Sequence, residues 1–200
     1  MDDTRRAVLL ALAATIILSI AFSSVFVYYP ITAQISPVGT PVKLGYGSNA
    51  GRPDLSNTIS VTIGSNNASA TITIHPTYQV SYYRNITIIT NTDNKAYKVM
   101  LNVSSPMNGL PTNSKAKLYV FSKGAGRSLS GWQTGSNPAY GLEPSGYRAV
   151  LDLTTTGSTT SEFTLNANDI VEIDILIYIP EGTSPPNSAT ANIYLRYTPC

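Results

Sequence analysis

The sequence contains few of the residues on which catalytic and metal sites depend. Its 200 residues include one histidine, His75, and one cysteine, Cys200. Because a His/Cys zinc site needs several such ligands, this class of site is excluded, and at most one Ser–His pair remains. The chain also lacks a G-x-S-x-G, H-E-x-x-H or C-x-x-C motif and a phosphate-binding glycine loop. We therefore expect no catalytic residues, no metal ligands and no cofactor, and predict that the protein is not an enzyme.

Charged residues are scarce as well. They make up 12% of the chain, which is about half of the roughly 25% found in an average soluble domain. The net charge is only +2, so there is no electrostatic reason to expect a nucleic-acid partner. Hydrophobic residues make up 42% of the chain, and a low charge content combined with a low net charge argues against disorder.

The first 23 residues have the pattern of a signal peptide. Arg5 and Arg6 precede an apolar stretch from Ala7 to Tyr29, and the small residues Ala21 and Ser23 form a small-x-small cleavage site. This order is typical of export signals. We predict that residues 1–23 are cleaved, that the membrane is met only during export, and that the mature protein is extracellular. An uncleaved anchor is the alternative, because the apolar run is nearly long enough to span a bilayer.

Two further features bear on an exported protein. Three N-x-S/T sequons start at Asn67, Asn85 and Asn102, and each is a candidate for N-glycosylation. Cys200 has no second cysteine in the chain with which to form a disulfide. Stability must therefore come from core packing, from assembly, or from both.

From residue 42 onward, apolar and polar residues alternate with the period of two that is typical of β-strands. The predicted strands are 42–46, 59–63, 70–74, 86–90, 97–103, 117–121, 149–153, 162–165, 171–179 and 191–197. The turn Asn91-Thr92-Asp93-Asn94 predicts a hairpin between its two flanking strands. Eight to ten such strands favour an all-β fold, a jelly-roll-type antiparallel β-sandwich that covers residues 42–200.

Two segments of this domain do not follow the simple pattern. The stretch 122–147 is rich in Gly, Ser and Pro and contains Trp132; we expect an ordered flap over one end of the core, or a partner contact. Asp169, Glu172 and Asp174 form the densest acidic cluster. We interpret Glu172 and Asp174 as the solvent-exposed face of their strand, in preference to a calcium site.

The segment 24–36 has the alternation of a strand but precedes the domain. Its odd positions are able to face a core: Val25, Val27, Tyr29, Ile31, Ala33 and Ile35. Residues 37–41 form a Pro-rich linker that separates this strand from its own domain. Because an exposed apolar strand pairs readily with another chain, we predict a donor strand that inserts into a neighbouring copy. Donor and acceptor lie on different surfaces, so the contact is heterologous and propagates.

Parts of the sequence resemble known fibre proteins. The segment from Ser65 to Val103 resembles the TasA/camelysin-like biofilm-fibre proteins: an S-A-x-I-x-I strand, a polar link, a strand that ends in Asn, a turn and a K-V-x-L strand. The late strand pair corresponds in order. The stretch from Ile35 to Ala50 is similar to archaeal bundling pilins, the archaeal branch of this architecture. The resemblance implies a jelly-roll subunit, polymerised by an N-terminal donor strand into extracellular fibres that bundle in biofilms. Camelysin is associated with metalloprotease activity, but this chain lacks the histidines that zinc would need.

The predicted function is therefore that of a structural subunit of an extracellular bundling pilus that acts in biofilm formation and cell adhesion. Its partners are identical subunits in a homopolymer and the neighbouring filaments of a bundle. One alternative is a type IV pilin-like subunit that keeps residues 8–29 as a core helix. Another is a monomeric cell-surface binding module, in which the tyrosines would be ligand platforms.

Overall fold

Ten strands form two five-stranded antiparallel sheets, and four short strands form two small ribbons. The computed structural model describes residues 3–21, 39–55, 57–77, 79–130 and 143–200. The strands are β1 (Val42–Tyr46), β2 (Pro53–Asp54), β3 (Asn57–Thr58), β4 (Ser60–Ile63), β5 (Ser69–Ile74), β6 (Gln79–Asn91), β7 (Tyr97–Asn108), β8 (Lys115–Ser122), β9 (Leu129–Ser130), β10 (Glu143–Pro144), β11 (Ala149–Asp152), β12 (Phe163–Leu165), β13 (Ile170–Ile179) and β14 (Ala189–Pro199).

The two large sheets are built from non-consecutive strands. The first sheet has the order β1-β6-β13-β8-β11, and the second has the order β12-β7-β14-β5-β4. The ribbons are β2 with β3 and β9 with β10. Because each large sheet buries one face, the alternating side chains of both sheets meet in one shared core. The largest core side chains are Ile72, Ile74, Ile86, Ile89, Leu101, Leu118, Leu151, Leu153, Leu165 and Ile173.

The prediction of an all-β antiparallel sandwich is confirmed, and each of the ten predicted strands lies on one strand of the two large sheets. The jelly-roll order stays a prediction. The predicted hairpin at Asn91–Asn94 is wrong, because β6 lies in the first sheet and β7 in the second. The turn is therefore a corner at which the chain passes between the sheets. Alternation alone does not reveal this, since a strand has the same period in either sheet.

The domain is a compact unit that runs from Gly39 to Cys200, and residues 1–38 form a separate unit. Within the latter, the structure describes one helix, α1 (Asp3–Ala21). The structure therefore has a helix where the sequence has its predicted signal peptide; the cleavage site and the donor strand 24–36 lie outside the described residues. In the part of the chain that the structure describes, no helix has both the length and the apolar character needed to cross a membrane.

Candidate assembly and modification surfaces

Both ends of the domain are fixed to the corner between β6 and β7. The carbonyl oxygen of Pro41 accepts hydrogen bonds from the Thr92 backbone N–H at 2.8 Å and from the Thr92 hydroxyl at 3.0 Å. The Cys200 backbone N–H donates to the Ala96 carbonyl at 3.1 Å. We call this region the terminal pole; it comprises residues 40–41, the corner 92–96 and Cys200.

The corner itself is held by side chains of Asn91, Asp93 and Tyr97. The Asn91 amide is buried and donates to the carbonyl of Lys95 at 2.7 Å. The Tyr97 hydroxyl donates to Asp93 at 2.6 Å. This hydrogen bond raises the pKa of Tyr97 to about 12 and lowers the pKa of the Asp93 carboxyl below its usual range. These hydrogen bonds fix the corner and, through Pro41, the start of the domain.

A cleft lies at the opposite end of β1. It has a volume of about 300 Å³ and is lined by Tyr46, Ala50, Gly51, Thr58, Ile59, Ser60 and Val61. Strand β4 pairs with β5 on one side, and in the described residues no strand pairs with its other side. Val61 and Ile63 are only partly buried against the core, and Tyr46 is 61% exposed. We call this region, the free edge of β4 with its adjoining cleft, the β4 cleft.

A bulge in β6 holds the loop that leads from β1 to the β4 cleft. Three residues, 84–86, lie opposite Asp174 of β13, and Asn85 has a positive φ of 43°. The backbone N–H of Gly47 donates to the Ile86 carbonyl at 2.9 Å. A Cβ on Gly47 would lie 2.1 Å from the Asn85 carbonyl oxygen. Only glycine permits this close approach, so the loop is held against the bulge.

The outer face of the first sheet carries a buried ion cluster. Arg127 donates to Asp174 at 2.6 Å through Nε and to Glu172 at 2.5 Å through Nη2. Asp174 is fully buried and also accepts hydrogen bonds from the Tyr82 hydroxyl at 2.5 Å and the Asn85 backbone N–H at 2.7 Å. The interpretation of Glu172 and Asp174 as a solvent-exposed face is therefore wrong. Among the described residues, no three His, Cys, Asp or Glu side chains group as metal ligands.

A flap covers this face, and we define the flap as residues 123–130 and 143–148. Arg127 lies over the Phe121 ring with its guanidinium carbon 4.6 Å from the ring centroid, and Tyr147 meets Tyr119 edge-on at 5.2 Å. A second hydrophobic cluster forms beneath, centred on Tyr119, Phe121 and Leu176. Burial raises the pKa of Tyr119 and, together with the bond to Asp174, that of Tyr82. The described parts of the predicted flap therefore lie over the outer face of the first sheet, so the expectation that they cover one end of the core is wrong. Trp132 is outside the described residues.

The outer face of the second sheet has no such cover from the described residues. Its side chains alternate with the core residues of β4, β5, β14 and β7, and most are Thr, Ser or Asn. They are Ser60, Thr62, Ser69, Thr71, Thr73, Asn102, Ser104, Thr190, Asn192 and Tyr194. We call this surface the hydroxyl face. At one margin the outer face carries Met100 and the charged side chains Lys98, Glu162 and Arg196, which border a cleft of about 190 Å³.

The single histidine has a structural position. His75 follows β5, and its backbone N–H donates to Asp54 at 2.6 Å while its Nδ1 lies 3.1 Å from the same carboxylate oxygen. The Tyr83 hydroxyl donates to the other oxygen of Asp54 at 3.3 Å. These contacts tie the β2–β3 ribbon to the end of β5. They explain the conformation of this loop and need no catalytic role.

The predicted site residues are those of the donor strand and the three sequon asparagines. All six predicted donor-strand residues lie outside the described residues. Asn67 lies in the turn between β4 and β5, Asn85 in the β6 bulge, and Asn102 on the hydroxyl face. The sequence patterns did not predict the β4 cleft or the Arg127 cluster. For the latter a signal was present, since Asp174 stands between Ile173 and Ile175 in a strongly apolar strand.

No protein-family model matches the chain, and no curated protein matches its sequence.

Proposed function

We propose that the protein is a non-enzymatic subunit of an extracellular filament, in which residues 24–36 of one copy add to the β4 cleft of the next. The observation that carries this proposal is the position of the two poles. The chain joins the domain at Val42, paired with Asn91, whereas the cleft beside the start of β4 lies beyond Tyr46, paired with Thr87. The turn that follows β4 comes back to the terminal pole, where the Thr40 hydroxyl donates to the Asn66 carbonyl at 3.5 Å. A donor that leaves one pole and an acceptor at the other make a head-to-tail contact, which propagates instead of closing.

The free edge of β4 supplies the second support. An unpaired edge offers backbone N–H and C=O groups to an incoming strand, which is the basis of β-strand addition. The sequence of segment 24–36 alternates in the way that such a strand requires, with Ile31 and Ile35 on the apolar side and Thr32 on the polar side. Burying Ile31 and Ile35 would contribute about 1.5–3 kcal/mol each. Each backbone hydrogen bond would add about 1 kcal/mol.

The linker between the donor segment and β1 is restricted at both of its ends. Pro37 and Pro41 limit the backbone conformations of residues 37–41, and the Pro41 carbonyl is held by Thr92. The head-to-tail arrangement supports a homopolymer of identical subunits, whose lateral association into bundles in biofilms and cell adhesion is part of the proposal.

Substitutions on the two sides of the donor strand test the proposed register. Ile31→Asp would place an unpaired carboxylate in the junction at a cost of several kcal/mol, and we expect it to abolish fibres. Thr32→Asp is the matched control, because its charge would stay in water, and fibre yield should be close to that of the wild type. The measurement is the amount of sedimentable fibre, checked by negative-stain microscopy. Equal fibre yields from the two variants would refute the donor-strand register.

A disulfide cross-link tests the acceptor. In a Cys200→Ser background, Ile31→Cys combined with Val61→Cys should give a ladder of covalent oligomers on a non-reducing gel. The control combines Ile31→Cys with Thr190→Cys, which lies on the hydroxyl face, and should give no ladder. A cross-link confined to single copies would contradict the proposal and indicate the monomeric surface module. Processing beside Ala7, with residues 8–29 retained, would indicate the type IV pilin-like subunit.

A further inference from the structure

Asn102 lies on the hydroxyl face directly opposite an exposed aromatic side chain. In the register of β7 and β14, Asn102 pairs with Tyr194, which is 52% exposed. Residues paired across antiparallel strands project to the same side, with Cβ atoms about 4.5–5.5 Å apart. On its other side Asn102 forms a β-bridge with Thr159. An amide acceptor and a tyrosine ring therefore lie side by side on a surface open to water in the described domain.

The Asn102 side chain is partly exposed and is not engaged by the described residues. It is half-buried, and its amide forms no hydrogen bond with any residue that the structure describes. The sequon hydroxyl, on Ser104, lies on the same face and donates to the Asn192 backbone carbonyl at 3.2 Å. Both groups that define the sequon are thus presented on the hydroxyl face.

The other two sequons have different surroundings from that of Asn102. In the Asn85 sequon, Ile86 and Thr87 are fully buried, and the Asn85 side-chain oxygen is enclosed without a partner among the described residues. The Asn67 sequon lies in a turn at a φ of 55°, and the Ser69 hydroxyl packs against Gly64. In the described strand pairings, neither asparagine has an aromatic partner, as Asn102 has.

We propose that Asn102 carries an N-linked glycan and that the first sugar packs on the Tyr194 ring. The apolar C–H face of a pyranose suits an aromatic ring, and the Thr, Ser and Asn side chains around it offer hydrogen bonds to sugar hydroxyls. The Asn102 Nδ2 bonds to the anomeric carbon of a lipid-phosphate-linked oligosaccharide. The bond from that carbon to the phosphate oxygen breaks, the lipid phosphate leaves with its electron pair, and the amide releases one proton. This inference rests on the export that the proposed function includes.

Peptide mapping of the native protein, recovered from the outside of its own cells, tests the modification. Trypsin separates the three sequons into residues 44–84, 85–95 and 99–115, because Arg52 precedes a proline and resists cleavage. We expect peptide 99–115 to carry a hexose or N-acetylhexosamine mass series, localised to Asn102 by electron-transfer fragmentation, and peptide 85–95 to be unmodified. Unmodified 99–115 in exported protein would overturn this inference and leave the filament proposal intact. Protein retained in the cytoplasm would overturn both.

A double-mutant cycle tests the contact with Tyr194. Asn102→Gln should lower the melting temperature of the native protein by about 2 °C, because the glycan and its packing are lost together. The same substitution in a Tyr194→Ala background should lower the melting temperature by a smaller amount, because the packing on the ring is already lost. Tyr194→Phe keeps the ring and should behave as the wild type. An equal shift in the wild-type and Tyr194→Ala backgrounds would show that the glycan does not pack on this ring.

Discussion

The outer faces of the two sheets differ in what covers them. On the first sheet the flap buries a salt-bridge cluster, two tyrosines and a second hydrophobic cluster. On the second sheet the hydroxyl face consists mainly of short neutral side chains, together with Tyr194, and the described residues do not cover it. The first arrangement stabilises one conformation of the chain, whereas the second contributes little to stability and leaves a flat surface available. The outer face of the first sheet thus contributes to the stability of the fold, whereas the outer face of the second sheet is available for contact with other molecules.

The largest effect is expected from Arg127, which is 3% exposed. Arg127→Met would leave Asp174 and Glu172 without their cation, and removing one partner of a buried ion pair costs about 3–5 kcal/mol. Urea denaturation of the full chain measures this loss. Lys98→Met is the control, because the Lys98–Glu162 pair spans 3.7 Å with both side chains more than half exposed, and its loss should cost less than about 1 kcal/mol. Similar losses for the two variants would show that the cluster does not hold the flap.

Two tyrosines beneath the flap should respond differently to loss of the hydroxyl. Tyr82→Phe removes the hydrogen bond to Asp174 and should cost about 1–3 kcal/mol. Tyr119→Phe removes a buried hydroxyl that has no hydrogen-bond partner among the described residues, so the free energy of unfolding at pH 7 should stay the same or rise. The midpoints of urea denaturation of the two variants measure this difference. A larger loss of stability for Tyr119→Phe than for Tyr82→Phe would contradict the geometry described for this face.

Alkaline pH should weaken the covered face. The folded state raises the pKa of Tyr82 and Tyr119 mainly through burial, so it retains protons that the unfolded chain releases above a pH of about 10. The free energy of unfolding is therefore fully maintained below a pH of about 10 and falls as the pH rises further. The double variant Tyr82→Phe/Tyr119→Phe should show a smaller fall in urea denaturation between a pH of about 9 and about 11. If the free energy of unfolding of the double variant falls with pH as steeply as that of the wild type, other groups cause the loss of stability at alkaline pH.

The smallest effect is expected on the hydroxyl face. Thr71→Lys places a charge among neutral side chains but leaves it in water, and surface substitutions of this kind change the free energy of unfolding by less than about 0.5 kcal/mol. The matched comparison is Val150→Lys, since Val150 packs against the second hydrophobic cluster and a buried lysine is costly. Comparable urea midpoints for the two variants would show that the outer faces of the two sheets do not differ in how well they are covered.

The strands were predictable because burial of one sheet face imposes a period of two on the sequence. The alternation of β14, for example, places Ala191, Ile193 and Leu195 in the core, as the sequence suggests. The same rule failed at Asp174, because alternation indicates which side a residue faces and not what lies over that side. The cover is supplied by Arg127, 47 residues earlier in the chain, and no local pattern connects the two.

The order of the strands and the identity of the sheet edges could not be predicted either, because local patterns do not show which strands become neighbours. The turn at Asn91–Asn94 has hairpin chemistry, yet its flanking strands belong to different sheets. The β4 cleft arises because β4 is the last strand of one sheet while β1 is the last strand of the other, which is a property of the whole topology. The sequons were visible in the sequence, but their accessibility depends on the β6 bulge and on the pairing of β7 with β14.

The pairing of β1 with β6 has a mechanical consequence. In the proposed filament, tension enters each subunit through the linker at Val42 and leaves through β4 at the other pole, so the load acts along the axis of β1. The hydrogen bonds of an antiparallel pair run across the strands, and β1 is paired over five residues from Val42 to Tyr46. A pull along the strand therefore loads this ladder in shear, with its bonds sharing the force, instead of opening them one after another. Such a subunit is built to resist extension along the fibre.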